Sequence, residues 1–141
     1  MKVYKFGGAS VRSAEGIRNI ARIVSGVEDD LFIVVSAMGK TTNAMEVVLD
    51  AFMRAERTAA QEKLMEVETY HTEIITELFD DAQAGIRAVM PLFEELKDIV
   101  QKGIGDDYDR WYDKLVSYGE IISTTIVYAY LNQAGIDNAW L

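Results

Sequence analysis

The chain has 141 residues, of which 50% are hydrophobic and 26% charged, and it contains no cysteine. This composition is typical of one folded globular domain and excludes a disordered chain, a disulfide-stapled miniprotein and thiolate chemistry. The net charge of −9 opposes binding to nucleic acids and anionic membranes, although backbone amides and one lysine are enough to bind a phosphate group.

The first part of the chain predicts a strand, a helix and a second strand. Residues 3–6 are β-rich, and residues 31–35 (LFIVV) form a continuous apolar run that is typical of a central strand covered on both faces. Apolar residues at helical spacing lie between them, with Ser13 as the candidate N-cap and Gly26 at the end of the helix. This order predicts a βαβ unit with parallel strands.

The residues from Thr42 to about Asn132 are predicted to be helical. Apolar stripes at helical spacing mark three helices, around residues 47–52, 74–79 and 92–100. Pro91 predicts that the third of these starts or bends there, because proline fits a first turn better than a helix interior. A further helix is predicted from Asp109 to Asn132, ending at Gly135, and residues 136–141 resemble the beginning of another strand.

The first candidate site is the segment KFGGAS, residues 5–10, directly after the first strand. Paired glycines let the backbone approach a ligand without a Cβ in the way, and the amides exposed there can bind an anion. Lys5, at the carboxyl end of the strand, can reach the same crevice and neutralise charge on a phosphoryl group. These residues alone fit a phosphate site or a glycine turn beside a surface lysine equally well.

The second candidate site is the segment SAMGKTTN, residues 36–43, after the second strand. Its Gly-Lys-Thr is not a Walker A loop, because the residue five positions before Gly39 is Val34 and not a glycine. What remains is a strand-to-helix turn with hydroxyl groups, where a helix N-terminus favours a carboxylate or a phosphate. Ordinary N-capping by Thr41 or Thr42 is the alternative.

The third candidate site is the segment GEIIST, residues 119–124. Glu120, Ser123 and Thr124 share one face of the predicted helix. Their neighbours are apolar, so we expect the carboxylate to be at least partly desolvated and to need a cationic partner. That partner can be the α-amino group of a ligand or a lysine of the protein in a structural ion pair.

Few other residues are candidates for chemistry. His71 is the only histidine, which excludes a multi-histidine metal site, and we expect it on a helix surface. Residues 106–109 (DDYD) lack the glycine and glutamate of a calcium loop and predict a turn that caps the next helix. The N-terminus lacks the apolar segment of a signal peptide, and no apolar run is long enough to span a bilayer, so we expect a cytoplasmic protein.

Taken in this order, the three segments resemble the N-terminal half of the catalytic domain of the aspartokinases. The family motif Lys-Phe-Gly-Gly-Thr-Ser-Val matches residues 5–11 with alanine in place of threonine. Val-Val-Ser-Ala and Thr-Asn match residues 34–37 and 42–43, and Gly-Glu-x-x-Ser matches residues 119–123. The resemblance implies an α/β fold, namely the N-terminal portion of the three-layer amino-acid-kinase (carbamate-kinase-like) fold, with parallel strands and a large helical insertion.

The resemblance also implies an activity. Aspartokinases use ATP and Mg²⁺ to phosphorylate the side-chain carboxylate of L-aspartate to β-aspartyl phosphate, the first step of lysine, threonine and methionine synthesis. By this resemblance Lys5 is the catalytic residue, and it binds the ATP phosphates together with Phe6, Gly7 and Gly8.

The same resemblance assigns the residues that bind L-aspartate. Ser36 and Thr42 would bind its carboxylate oxygens, and Glu120 would hold its α-amino group. Ser10 and Ser123 are further candidate site residues, and no residue of this chain is expected to be a metal ligand.

The resemblance covers the entire chain, but members of the family continue for hundreds of residues beyond the position of Leu141. We therefore expect residues 1–141 to be the N-terminal part of a single catalytic domain, inactive alone and homo-oligomeric at full length, with most of the ATP and Mg²⁺ contacts made elsewhere. Two alternatives stay open: another amino-acid or carbamate kinase of the same fold, and a non-catalytic binding or assembly module. A Rossmann dehydrogenase is disfavoured, because no GxGxxG follows either strand.

Overall fold

The computed structural model describes residues 1–141, which form two strands and five helices. In chain order these are β1 (Lys2–Phe6), α1 (Ala14–Ser25), β2 (Leu31–Val35), α2 (Thr41–Met53), α3 (Arg57–Leu78), α4 (Ala82–Lys102) and α5 (Tyr108–Gln133). None of the helices combines the length and the apolar character that a membrane-spanning helix needs.

The predicted βαβ unit is confirmed. β1 and β2 pair in parallel, from Lys2 opposite Leu31 to Phe6 opposite Val35. Ser13 caps α1 as predicted, because its Oγ accepts a hydrogen bond of 3.2 Å from the backbone N–H of Gly16. Because β1 and β2 run in parallel, their carboxyl ends and the loops that follow them lie at the same edge of the sheet.

Only one face of this two-stranded sheet is covered. Ile33 and Val35 point to the face that packs on the hydrophobic core. On the other face, Val3, Phe32 and Val34 are 63%, 47% and 45% exposed. The prediction that β2 is covered on both faces is therefore wrong for these residues, because the helices of this chain leave the second face open.

The helical region forms as predicted, with α2, α3, α4 and α5 packing in succession and α2 also contacting α5. Large side chains at the centre of these contacts are fully buried, among them Met45, Leu64, Phe93 and Leu115. Burial of each such side chain contributes on the order of 2 kcal/mol. The helical region therefore supplies most of the core.

Pro91 lies in the interior of α4, so of the two predicted alternatives, a helix start or a bend at this proline, the start does not occur. The helix begins at Ala82, where the carboxylate of Asp81 accepts a hydrogen bond of 3.1 Å from the backbone N–H of Gln83. A proline in a helix interior removes one backbone hydrogen bond. The helix nevertheless continues to Lys102, with Val89 and Phe93 buried on either side of the proline.

The last helix and its cap agree with the sequence, but the predicted C-terminal strand does not form. α5 differs by one residue at each end from the predicted range, and the Asp107 carboxylate caps it by accepting from the N–H of Arg110. Residues 136–141 pair with no strand; instead the indole N–H of Trp140 donates to the hydroxyl of Thr124 at 3.1 Å. An apolar segment becomes a strand only where a neighbouring strand accepts its backbone hydrogen bonds.

His71 is completely buried, which contradicts the prediction of a surface position. α3 packs against α1, α2 and α4, so its buried stripe is wide and includes His71 between Val67 and Ile74. The Nδ1 nitrogen lies 2.7 Å from the carbonyl oxygen of Val67. Since a carbonyl only accepts, Nδ1 carries the proton, and Nε2 is left buried without a partner.

Burial of His71 predicts a pH-dependent stability. Desolvation lowers the pKa of His71, and the hydrogen bond to Val67 offsets this only in part. Below the unfolded-state pKa of about 6.5, His71 is protonated in the unfolded chain but stays neutral in the folded chain until a lower pH. The free energy of unfolding therefore decreases as the pH falls.

We expect the free energy of unfolding, measured by urea titration between about pH 7.5 and 5, to fall more steeply for the wild type than for His71→Leu. The variant is the control for all other titrating groups. Parallel pH profiles would contradict this account.

Candidate functional site

The first two candidate segments meet at the carboxyl ends of the strands. The backbone N–H of Ser36 donates to the carbonyl of Phe6 at 3.0 Å, and the N–H of Gly39 donates to the carbonyl of Gly8 at 3.0 Å. The loop after β1 and the turn after β2 are therefore joined by direct backbone hydrogen bonds. This contact brings the KFGGAS and SAMGKTTN segments to one place.

The two glycines of the first segment have different structural roles. A Cβ on Gly8 would lie 2.9 Å from the carbonyl oxygen of Gly39 and 3.0 Å from that of Ala37. A Cβ on Gly7 would meet nothing within 4 Å. Gly8 is thus needed for close contact between the two loops, whereas the backbone at Gly7 faces open space.

The loop after β1 offers unpaired hydrogen-bond donors. The N–H of Ser10 donates to the carbonyl of Gly7 at 3.0 Å and closes a tight turn, while the amides of Gly8 and Ala9 have no acceptor in the protein. Lys5 lies just before this turn, exposed and outside every ion pair of the structure. Free amides that closely follow an unpaired lysine in the sequence suit an anion.

The turn after β2 leads into a helix whose N-terminus has no side-chain cap. The hydroxyl of Thr41 donates to the carbonyl of Met38 at 2.6 Å, and the N-cap residue Lys40 makes no side-chain cap bond. The predicted capping by Thr41 or Thr42 is therefore wrong, because the Thr41 hydroxyl bonds backwards into the turn. The first-turn amides of Thr42 and Asn43 stay free, and a helix N-terminus with free amides favours a negative charge.

The third candidate segment packs directly on the second. Ser123 is fully buried, and its hydroxyl donates to the carbonyl oxygen of Ser36 at 2.7 Å. One helical turn earlier, a Cβ on Gly119 would lie 3.2 Å from the Cβ of Ala37 and 3.3 Å from the Cγ2 of Thr41. All three motifs of the sequence thus converge at the ends of the two strands.

Glu120 is exposed, which contradicts the expectation of a partly desolvated carboxylate. It lines the groove between β2 and α5 together with apolar residues such as Val34 and Val35, and the groove opens to solvent. Its carboxylate belongs to none of the ion pairs of the structure, so the alternative of a structural ion pair finds no partner. The negative charge of Glu120 is available for a cationic ligand.

A contact that the sequence did not reveal comes from α3. The hydroxyl of Tyr70 donates to the carbonyl of Arg12 at 2.7 Å, and a Cβ on Gly39 would lie only 2.5 Å from that hydroxyl oxygen. Gly39 has a φ of +55°, a conformation that glycine adopts without strain. Burial raises the pKa of Tyr70, and the charge of Arg12 opposes this in part. The position of Gly39 between strand and helix was the only sequence signal for this contact.

The acidic residues do not form a metal site. No group of three or more His, Asp or Glu side chains is placed to hold a metal ion. The chain therefore does not fit Mg²⁺ through a cluster of its own carboxylates.

The close contact at Gly8 predicts different outcomes for two matched substitutions. Gly8→Ala places a Cβ against backbone oxygens that cannot rotate away, so we expect the free energy of unfolding to fall by about 1–3 kcal/mol. Gly7→Ala, where the added Cβ meets open space, should stay within about 0.5 kcal/mol of the wild type. Urea denaturation of the 141-residue chain measures both, and equal losses would refute the distinction.

The chain is similar to known proteins of one family. A family model described as the amino acid kinase family matches residues 1–141. The chain is 36% identical over 140 residues to Aspartokinase 1, chloroplastic, of Arabidopsis thaliana, and the aligned region covers 95% of this chain and 24% of that protein. It is 30% identical over 143 residues to Bifunctional aspartokinase/homoserine dehydrogenase 2 of Escherichia coli, covering 99% of this chain and 17% of that protein.

The fold is also found among solved structures. E. coli aspartokinase III in complex with aspartate and ADP (R-state) superposes with a TM-score of 0.87 at 23% identity, covering 100% of this chain and 31% of that chain. The likeness confirms the predicted fold class, the N-terminal portion of the amino-acid-kinase fold. The chain spans about a quarter or less of the length of the curated relatives named above. Because the family match extends over all 141 residues, the chain belongs to the amino acid kinase family.

Proposed function

We propose that the protein containing this chain uses ATP to phosphorylate the side-chain carboxylate of L-aspartate, giving β-aspartyl phosphate for lysine, threonine and methionine synthesis. The relatives named aspartokinases support this proposal, as does a structural neighbour described in complex with aspartate and ADP. The observation that carries it is the convergence of free amides after β1, an uncapped helix N-terminus after β2 and an unpaired Glu120 on α5.

The loop after β1 is the proposed phosphate site. In the reaction, a carboxylate oxygen of aspartate attacks the γ-phosphorus of ATP, and the bond to the β,γ-bridging oxygen breaks so that ADP leaves with its electron pair. Lys5 and the amides of the loop that begins at Gly7 and Gly8 would stabilise negative charge on the transferred group. Phe6 contributes through its backbone, since its carbonyl fixes the loop against Ser36.

The turn after β2 and the facing side of α5 are the proposed aspartate site. Ser36, Thr42 and the free amides at the start of α2 suit the carboxylates of aspartate, and Glu120 suits its ammonium group. The nucleophile is the substrate itself, so positioning and charge stabilisation replace a protein nucleophile. Ser10, at the end of the phosphate loop, remains a candidate contact.

Magnesium, homo-oligomerisation at full length and a cytoplasmic location stay parts of the proposal. Mg²⁺ accompanies ATP in such transfers, where it neutralises charge on the phosphates. We assign no residue of this chain as its ligand.

The direct test is acyl phosphate formation trapped with hydroxylamine, with L-aspartate and L-glutamate as paired substrates and carbamate as a third acceptor. We expect the complete gene product containing residues 1–141 to react with aspartate and ATP and to be inert with glutamate, and the 141-residue chain alone to be inert with both. Reaction with glutamate or carbamate instead would support another kinase of the same fold. A complete gene product that phosphorylates none of these acceptors would favour a non-catalytic module.

Lys5→Ala in the complete gene product should lower kcat by about 100- to 1000-fold, because one donor to the transferring group is lost. The fold should survive, since the side chain is exposed. Lys2→Ala is the matched control: it lies on the same strand, and its ammonium pairs with Asp29 at 3.0 Å, remote from the loop. Steady-state kinetics in which Lys5→Ala matches Lys2→Ala would remove Lys5 from the mechanism.

Glu120→Gln should raise the KM for aspartate by about 10- to 100-fold while the KM for ATP stays unchanged, because a charge-assisted hydrogen bond to the α-amino group is lost. Asp113→Asn, an exposed carboxylate on the same helix, is the control. An unchanged aspartate KM would show that Glu120 does not bind substrate.

A further inference from the structure

We propose that Ser123 is a positioning residue, which fixes the backbone that carries Glu120 at a set distance from the turn that carries Ser36 and Thr42. The inference rests on the proposed function, since it concerns how the two sides of the aspartate site are held together. It assigns to Ser123 no contact with substrate.

The hydrogen bond of Ser123 differs in kind from those of its neighbours on α5. The hydroxyls of Ser117, Thr124 and Thr125 all donate to carbonyls of their own helix, three or four residues back. The hydroxyl of Ser123 instead crosses to the carbonyl of Ser36, 87 residues away in sequence, at 2.7 Å. Among these four hydroxyls, that of Ser123 is therefore the one that joins α5 to the turn after β2.

The surroundings of Ser123 exclude a direct role in binding. Its side chain has no exposed surface, and its proton is already donated. The bond uses the carbonyl of Ser36 and leaves the Ser36 hydroxyl without a partner in the protein, hence free for a ligand. Ser123 can thus affect substrate only through the residues it holds in place.

Gly119 forms the second contact of the same interface. Gly119 and Ser123 are four residues apart and share one helix face, and Glu120 lies between them in sequence. At Gly119 the helix approaches Ala37 and Thr41 so closely that a Cβ would be 3.2 and 3.3 Å from their side chains. The turn therefore contacts α5 on both sides of Glu120, and any shift of α5 at this interface moves the Glu120 carboxylate with it.

The first test is Ser123→Ala in the complete gene product. We expect the KM for aspartate to rise about tenfold, since small misplacements of a binding group cost this much or more, and the KM for ATP to stay within about twofold. Ile122→Val, at the next and equally buried position of α5, is the control for loss of stability. A purely structural role would lower Tm in both variants and leave the aspartate KM of both unchanged, which would overturn the inference.

A second variant changes the same interface by adding a group instead of removing one. Gly119→Ala gains helix propensity, but its Cβ meets Ala37 and Thr41 at 3.2 and 3.3 Å, so α5 and the turn must separate by a few tenths of an ångström at this contact or its side chains must shift by as much. We expect its aspartate KM to rise severalfold with an unchanged KM for ATP. This variant also decides the question if Ser123→Ala fails to fold, and an unchanged aspartate KM in it would count against the inference.

The double variant Ser123→Ala/Glu120→Gln tests whether Ser123 acts through Glu120. With the Glu120 contact already lost, Ser123→Ala should add less than about twofold to the aspartate KM. A full tenfold effect in both backgrounds would overturn the inference while leaving the proposed function intact. A wild-type product that forms no acyl phosphate from aspartate would overturn both.

Discussion

The close backbone contact between the loop after β1 and the turn after β2 is the constraint on which the rest of the site depends. Carbonyl oxygens of Ala37 and Gly39 occupy the space where any side chain at Gly8 would begin, and the N–H of Gly39 donates to the carbonyl of Gly8. Because the two loops are fixed to each other, the free amides after β1 and the uncapped start of α2 lie at one edge of the sheet. A bulkier residue at Gly8 would separate them.

The helical region does more than fill the core, since it holds these loops from outside the sheet. Tyr70 on α3 binds the carbonyl of Arg12, and Arg18 on α1 donates to the carbonyl of Glu77 at 2.6 Å. Ser123 on α5 binds the turn from the other helix. Helices α3 and α5 thus make polar contacts to the loops at the strand ends, which keeps short, glycine-rich segments in one conformation, while the bond between Arg18 and Glu77 joins α1 to α3.

Features encoded by local pattern were predictable, and features that depend on the packing of distant elements were not. The two strands, their parallel pairing, the cap at Ser13 and the cap at Asp107 each follow from a few neighbouring residues, and all form as expected. The buried position of His71 was not predicted, because it depends on the packing of α1, α2 and α4 against α3, which widens the buried face of that helix.

The candidate site divides in the same way. Its three motifs were recognisable in the sequence, and their convergence followed from the parallel strands. The exposure of Glu120 was not predictable, because it depends on how α5 packs against β2. The backward bond of Thr41 was not predictable either, because it depends on the backbone conformation of the turn from Met38 to Thr41. Val3 and Phe32 lie on the open face of the sheet. An apolar strand therefore indicates that both of its faces are suited to burial, but it does not show that the helices of these 141 residues bury both.

The order of the helices along the chain bears on folding kinetics. Most packing in the helical region joins helices that are consecutive in sequence, so these contacts close short loops at low entropic cost. The bond between Ser123 and Ser36 closes a loop across 87 residues and becomes favourable only once both ends are already structured. Helical content, as circular dichroism reports it, is therefore a poor measure of whether the strand-end junction has assembled, because the helices can form through local contacts before that junction closes.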